Sequence, residues 1–422
     1  MMRLLYTLVL YAALPLLLLR LRQRARRAPA YGRRWRERFG FIPPLPAAQV
    51  VWVHAVSVGE ALAAIPMIKL LREQYPQLVF MVTTTTPTGS ERVRAAFGDS
   101  VHHAYMPYDL PDAVGRFLHR VKPCLLIVME TELWPNTLAA CWRRQIPVIL
   151  ANARLSAKSA RGYRRFGLLT RPMLQRLSVV AAQHRDDAQR FTALGLPESA
   201  CEVTGSIKFD LQLSDAQRDA AAQLKRQWSD AGRRPVLLAA STHAGEDEIV
   251  LQAFAEVRQQ LEQPLLVVVP RHPERFDAVF ALCRGKGYRV QRRSEAENRE
   301  GDIDIVVGDT MGELPLFFGA CDSAFVGGSL IEHGGHNLIE PAAWGVPILS
   351  GPSLFNFTEV SRLLLEANAL TIVRDHHELA QELVDLHQNA ARRQGQGLAA
   401  KSVADANRGA LQKLIDIVGR FL

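Results

Sequence analysis

At 422 residues the chain is too long for one ordinary hydrophobic core, and 48% hydrophobic against 22% charged residues describes a globular protein, neither disordered nor polytopic. The formal charge of +9 is concentrated: residues 1–38 hold ten Arg and a single acid, Glu37, so the whole excess lies there and the rest of the chain is neutral. That distribution argues against a basic face for a nucleic-acid duplex, and five scattered cysteines without a CxxC pair argue against a disulfide framework or a zinc site.

The first element is apolar. Leu4 to Leu19 reads LLYTLVLYAALPLLLL, and a basic run of Arg20, Arg22, Arg24, Arg26 and Arg27 follows at once. As a helix the stretch spans about 24 Å, short of a ~30 Å hydrocarbon core. Most of the charge follows the apolar segment and no small-residue cleavage site is evident, the opposite of a secretory signal. The segment is expected to remain as an anchor, either spanning the membrane or lying in its interface, with the arginines holding the next domain on the cytoplasmic side.

From residue 50, short apolar runs alternate with amphipathic stretches: VVWVH (50–54), LVFMVTTT (78–85), CLLIVME (124–130), IPVILAN (146–152) and VVAAQ (179–183). After EVTG (202–205) a polar stretch, 206–215, interrupts the pattern. A second set then begins with VLLAAS (236–241), LLVVVP (265–270), DIVVGD (304–309), SAFVGG (323–328) and VPILS (346–350). Strand-then-helix alternation predicts parallel sheets covered on both faces, in two doubly wound α/β lobes facing a cleft. The expected divisions are 1–38, anchor and basic segment; 39–210, first lobe; 211–402, second lobe; and 403–422, a terminal helix.

No GxGxxG follows the first strand of either lobe and no GxxxxGK[ST] occurs, which disfavours redox dinucleotides and P-loop chemistry. Instead the first strand leads through His54-Ala55-Val56-Ser57-Val58-Gly59 to Glu60, at a helix start that stabilises a carboxylate whether or not it is catalytic. Glu130, Glu132 and Asn136 follow the strand CLLIVM. For Glu130, holding loops is as good a role as chemistry. In the second lobe Ser241 and Thr242, then Pro270 and Arg271, then Met311, Gly312 and Glu313 follow successive strands, where hydroxyls, backbone N–H groups and Arg suit an anion. Gly327-Gly328-Ser329 and Gly334-Gly335-His336-Asn337-Leu338-Ile339-Glu340 form the densest segment. Either its glycines admit a phosphate to a helix start near Asn337, with Glu340 on ribose hydroxyls, or they make an ordinary turn. Lys208 is either a phosphate-reaching cation or a solvated one. His333 and His336 lack an evident third metal ligand, and Asp302-Ile303-Asp304 reads equally as a DxD motif or as strand entry.

Together HAVSVGE, METELWPN, ANARLSAKS, GSIKFD, PRHPER, GDTMGEL and GGHNLIEPAA, in this order over almost the whole chain, resemble the bacterial 3-deoxy-D-manno-octulosonic acid (Kdo) transferase family. The resemblance implies a GT-B glycosyltransferase fold with an N-terminal membrane-anchor helix, attached to the bacterial inner membrane with its catalytic domains on the cytoplasmic side. It implies inverting transfer of Kdo from CMP-Kdo to the lipid A precursor, lipid IVA, in lipopolysaccharide biosynthesis. On that analogy Glu60 is the general base, and Pro270, Arg271, Met311, Gly312, Glu313, Asn337, Leu338, Ile339 and Glu340 match the CMP-binding positions. Glu130, Lys208, Ser241 and Thr242 are supporting candidates. No cofactor and no metal are expected, because a monophosphate leaving group can be held by fixed cations and helix N-termini. The expected partners are CMP-Kdo, lipid IVA and inner-membrane lipids, without nucleic acid. Two alternatives share the architecture: a sugar-nucleotide epimerase and a non-catalytic nucleotide-binding membrane scaffold.

Overall fold

The computed structural model describes residues 2–46, 48–210, 213–295 and 303–422. The chain forms two compact units, Met1–Asp210 with Arg408–Leu422, and Leu211–Asn407. The first contains seven strands, β1 (Val50–His54), β2 (Val79–Thr84), β3 (His102–Tyr105), β4 (Pro123–Met129), β5 (Val148–Ala153), β6 (Val179–Ala182) and β7 (Cys201–Val203). They pair in parallel in the order β3-β2-β1-β4-β5-β6-β7. The second unit repeats the plan with β8 (Val236–Thr242), β9 (Leu265–Pro270), β10 (Val290–Arg292), β11 (Ile305–Val307), β12 (Ser323–Val326), β13 (Ile348–Ser350) and β14 (Leu370–Ile372), ordered β10-β11-β9-β8-β12-β13-β14 and again all parallel.

Parallel strands need crossover helices, and these cover both faces, so the inner strands are apolar throughout. In β1 every residue is buried. Val50 and Trp52 pack on one face with Phe117, Leu126 and Leu150, and Val51 and Val53 pack on the other with Met67, Leu71 and Ile127. The strands absent from the apolar pattern, β3, β10 and β14, are all sheet edges. With one neighbour each they stay short, and HHAY, VQR and LTI carry no continuous apolar run.

The expected terminal helix over 403–422 is two pieces. Residues 403–406 end the helix Ala390–Ala406, Gly409 turns the chain at φ 88°, and a separate helix, Ala410–Gly419, joins the first unit. Its Leu414, Ile415, Ile417 and Val418 pack on Ala64, Met67 and Ile68 of the helix after β1. The boundary therefore falls after Asn407 and not after 402. The Asp210 carboxylate accepts the backbone N–H of Gly409 at 2.5 Å and of Leu411 at 2.6 Å, which ties the returning helix to the end of the first unit.

The N-terminal helix α1 (Met2–Arg27) is long and apolar enough to cross a membrane by length and composition. It is docked on the first unit through polar contacts. Thr7 and the buried amide of Asn136 hydrogen-bond at 2.9–3.1 Å, and the Tyr11 hydroxyl donates to Asp112 at 2.6 Å. Leu10, Leu14, Leu17 and Leu21 are half-buried on the docked side, whereas Leu4, Leu5, Leu8, Val9, Leu16 and Leu19 are exposed. Asp210→Ala leaves the N–H groups of Gly409 and Leu411 without their carboxylate. Thermal melting is expected to show the first unit losing about 1–3 kcal/mol of stability.

Candidate functional site

Because every strand is parallel, the loops at the carboxyl ends of each sheet share one edge, and both sheets reverse their strand order there, between β1 and β4 and between β8 and β12. The sequence-predicted residues lie at these ends.

In the first unit Glu60 sits in the first turn of α2 (Val58–Gln74), directly after β1. Ser57 caps that helix, its Oγ accepting the Glu60 N–H at 3.2 Å and donating to Glu60 Oε1 at 2.9 Å. The Val56 N–H donates to Oε2 at 2.8 Å. Sequence Ser-x-x-Glu thus makes a variant of the capping box, and the helix geometry holds the carboxylate in one position. Glu60 is only 7% exposed, and burial pushes its carboxyl pKa up to about 7 against the lowering by the Val56 and Ser57 hydrogen bonds, with the negative charges of Glu130 and Glu132 adding to the rise. A pKa in that range is what general-base chemistry near neutral pH requires.

Glu130 ends β4 in the left-handed conformation, φ 54°, with its N–H on the Ala151 carbonyl. Its Oε1 lies 3.7 Å from Lys208 Nζ, and Lys208 is exposed enough to reach solvent. Burial, then the charge of Glu130, raises the pKa of Glu132. Glu60, Glu130, Glu132 and Lys208 thus form one group. Asn136, expected beside them, is turned away: its backbone N–H donates to Asp109 Oδ2 at 2.9 Å and its amide to the Asp109 carbonyl at 2.7 Å and to Thr7.

In the second unit much of the polar apparatus holds itself together. The fully buried Glu246 accepts N–H groups from His243 at 3.0 Å, Gly328 at 2.6 Å, Ser329 at 2.9 Å and Leu330 at 3.0 Å. The close approach that Gly327 permits is within the protein, since a Cβ there would come within 2.9 Å of both Glu246 Oε2 and the Ser241 carbonyl oxygen. Thr242 Oγ1 donates to buried Asp247 at 2.6 Å, Arg275 pairs with the same carboxylate, and Ser241 takes φ 57°. Pro270, Leu338 and Ile339 are buried, so the last two offer a ligand only backbone atoms. The helix expected near Asn337 begins at Ile339, and Asn337 Oδ1 already accepts the Ile339 N–H at 3.0 Å while its amide donates to Glu340 at 2.9 Å.

Arg271 is exposed, its N–H on the Thr242 carbonyl, and among the described residues it makes no ion pair. Its positive charge acts on both His336 and Glu340, which places the three together. Glu340 has its pKa raised by burial. Met311 is exposed and Gly312 has φ 87°, and Glu313 is held by Arg293 at 2.8 Å and by Thr310. The sequence pattern missed the grouping of four imidazoles. His243 faces His336 with their Nε2 atoms 2.8 Å apart, and the His272 and His333 rings lie 5.4 and 4.4 Å from the His243 ring centroid. Its signal was a His after each of two adjacent strands, β8 and β9. No set of three or more His, Cys, Asp or Glu side chains among the described residues converges as a metal site would. Asp304 pairs with Arg289 and Arg258 and is therefore structural, and Asp302 lies outside the described residues.

Residues 33–211 match the family model described as 3-deoxy-D-manno-octulosonic-acid transferase (kdotransferase). The chain is 41% identical to a 3-deoxy-D-manno-octulosonic acid transferase of Haemophilus influenzae, covering 100% of this chain and 99% of that one. It is 38% identical to the protein of the same name in Bordetella pertussis, covering 99% of each. Among solved structures, a UDP-GlcNAc 2-epimerase from Neisseria meningitidis bound to UDP-GlcNAc superposes with a TM-score of 0.58 at 15% identity, over 88% of this chain and 100% of that one. A likeness at that identity concerns the fold.

Two outcomes follow from the geometry. Glu246→Ala removes the acceptor of four N–H groups, three of them buried, so the second unit is expected to lose more than about 3 kcal/mol, seen as a lower melting temperature, with Glu246→Gln retaining part of it. Glu60 carries its proton below its pKa of about 7 and cannot then accept another. Any turnover that uses it as base therefore falls roughly tenfold per pH unit below that value and levels above it, read from the pH profile of kcat/KM.

Proposed function

This chain belongs to the 3-deoxy-D-manno-octulosonic acid transferase family and is a glycosyltransferase of the GT-B fold, and on that premise we propose that it transfers Kdo from CMP-Kdo to lipid IVA, with Glu60 as general base. In the proposed step an acceptor hydroxyl oxygen attacks the anomeric carbon of Kdo from the face opposite the leaving group. The bond from that carbon to the phosphate oxygen breaks, CMP departs with the electron pair, and the hydroxyl proton passes to Glu60. The new bond is formed with inversion.

The observation that carries this reading is Glu60 itself, a buried carboxyl with its pKa near 7, fixed by Ser57 and Val56 beside Lys208 and Glu130. A positioned base supplies typically ~10²–10⁴-fold. For the donor, Arg271, the backbone at Met311–Gly312 and Asn337–Ile339, and Glu340 are the proposed contacts. Arg271 is the cation in that set, it makes no ion pair among the described residues, and a nucleoside monophosphate supplies an anion for it. No metal is assigned, since a single phosphate leaving group can be stabilised by such fixed groups.

A family that builds lipopolysaccharide works on a lipid, and the apolar α1 is compatible with a membrane-associated protein. We place the chain on the cytoplasmic face of the inner membrane. Thr7 and Tyr11 meet Asn136 and Asp112 of the globular unit, so the helix lies along that unit, as an interfacial helix would, with its exposed leucines toward lipid.

The test is turnover. Purified protein is incubated with preformed CMP-Kdo and tetraacyl disaccharide, with and without EDTA, beside Glu60→Ala, and the lipid product is weighed by mass spectrometry. Mass increments of whole Kdo units, reduced at least 100-fold in the variant, are expected. No increment from folded wild-type protein rejects the reaction and moves the reading to the epimerase or scaffold. An increment that stops only with EDTA rejects metal independence, and one undiminished in the variant rejects Glu60 as base.

A further inference from the structure

Between α1 and the rest of the first unit lies a cavity of about 370 Å³ that none of the residues discussed for transfer explains. Leu10, Leu17 and Leu21 of α1 form one wall, and Met106, Leu110 and Trp134 another. Its charged lining is mainly cationic, Arg20, Arg24 and Arg38 against Asp109, and the hydroxyls of Tyr31, Thr85, Thr86 and Tyr108 complete the polar wall. The volume is at the lower end of the ~300–1,000 Å³ usual for ligand pockets, enough for part of a large lipid and not for all of it.

Arg38 is the unusual member. It is 6% exposed, its Nε has no hydrogen-bond partner, and its recorded guanidinium hydrogen bond goes to the Thr85 carbonyl at 2.9 Å. No carboxylate lies within ion-pair distance of it among the described residues. Neighbouring Glu37 is already taken by Arg34 and the Tyr105 N–H. The Arg38 guanidinium lies over the Tyr105 ring at 4.5 Å and the charge of Glu37 acts on it from beyond ion-pair distance, so burial is only partly offset and a phosphate supplies the ion pair that is missing. Arg20 and Arg24 are exposed at the rim and make no ion pair among the described residues, and Arg24 lies over the Tyr31 ring at 5.7 Å. The acid lining the cavity, Asp109, is spent on the Asn136 and Thr137 N–H groups and the Thr137 hydroxyl.

The cavity also adjoins the proposed base. Thr85 lines it, and the Thr85 hydroxyl and N–H donate to the Val56 carbonyl at 3.0 and 3.4 Å. The Val56 N–H in turn holds Glu60. A ligand in the cavity is thus one residue's thickness from the loop that carries the carboxylate, which favours a reacting lipid over a bystander.

We propose that this cavity is a subsite for the acceptor, taking one acyl chain along Leu10, Leu17, Leu21, Met106, Leu110 and Trp134 and a phosphate at Arg20, Arg24 and Arg38. The proposal rests on the acceptor being a phosphorylated, acylated sugar. α1 then is one wall of the binding site as well as an anchor, and its docking through Thr7 and Tyr11 keeps that wall in place.

The probe is a phosphatidic acid bearing a diazirine in one acyl chain, photolysed with full-length protein in detergent, with labelled peptides mapped by mass spectrometry. Label is expected on peptides containing residues 10–21 or 106–110. Tetraacyl disaccharide bisphosphate is expected to displace it at concentrations at least tenfold lower than phosphatidylglycerol does. Leu17→Trp, which fills the cavity from the helix side, and Arg38→Met, which keeps bulk without charge, are each expected to raise the acceptor KM at least tenfold while the CMP-Kdo KM stays within twofold. Label absent from those peptides overturns the subsite. Label that phosphatidylglycerol displaces as well as the acceptor does makes it a resident-phospholipid site and overturns the proposal equally. Should one variant fail to fold, the other and the wild-type labelling still decide. Kdo transfer by the same wild-type preparation is measured in parallel: its absence rejects the proposed function, whereas transfer with an unlabelled cavity rejects the subsite alone.

Discussion

Parallel pairing of all seven strands in each sheet is the constraint on which the rest depends. It forces a crossover helix after nearly every strand, which buries the inner strands on both faces and makes them uniformly apolar. It also sends every strand-to-helix loop to one edge. Polar residues that follow strands separated by tens of positions, such as Glu60 and Glu130, or Thr242 and Arg271, thereby become neighbours.

The loops collected at that edge are themselves a problem of unpaired N–H groups, and the chain answers with its own carboxylates. Glu246 fastens His243, Gly328, Ser329 and Leu330; Asp247 fastens Thr242 and Arg275; Asp210 fastens Gly409 and Leu411. Each internal anion removes candidates for binding an external one. At the strand ends, among the described residues, Arg271 in the second unit makes no ion pair and Lys208 in the first makes only a loose 3.7 Å contact. Glu60 stands between these classes. It caps a helix, as Glu246 fastens a loop, yet burial raises its pKa to about 7, which is the property the proposed role as base requires.

α1 shows the same economy of parts. A helix apolar on its outer side and docked on its inner side by Thr7 and Tyr11 is unlike a free tether, because its partners Asn136 and Asp112 belong to the folded unit. The METELWPN segment supplies two functions from one loop: its acids stay with Glu60, while Asn136 turns to Asp109 and the helix.

By itself the sequence determined the fold class, the interior strands and their order of appearance, the apolar helix and the residues after β1, β4, β8, β9 and β11. These depend on burial on two faces and on helix starts, which leave local patterns. The edge strands β3, β10 and β14 were illegible for the converse reason, having a neighbour on one side and little apolar length. Tertiary structure alone decided the pairing of partners far apart in sequence. It turned Asn136 to Thr7, gave the Gly327–Leu330 loop to Glu246, gathered four imidazoles, and returned Ala410–Gly419 to the first unit. It also buried Arg38 with no carboxylate within ion-pair distance among the described residues. Such choices are set by which side chains meet when the sheets close, and no spacing along the chain encodes them.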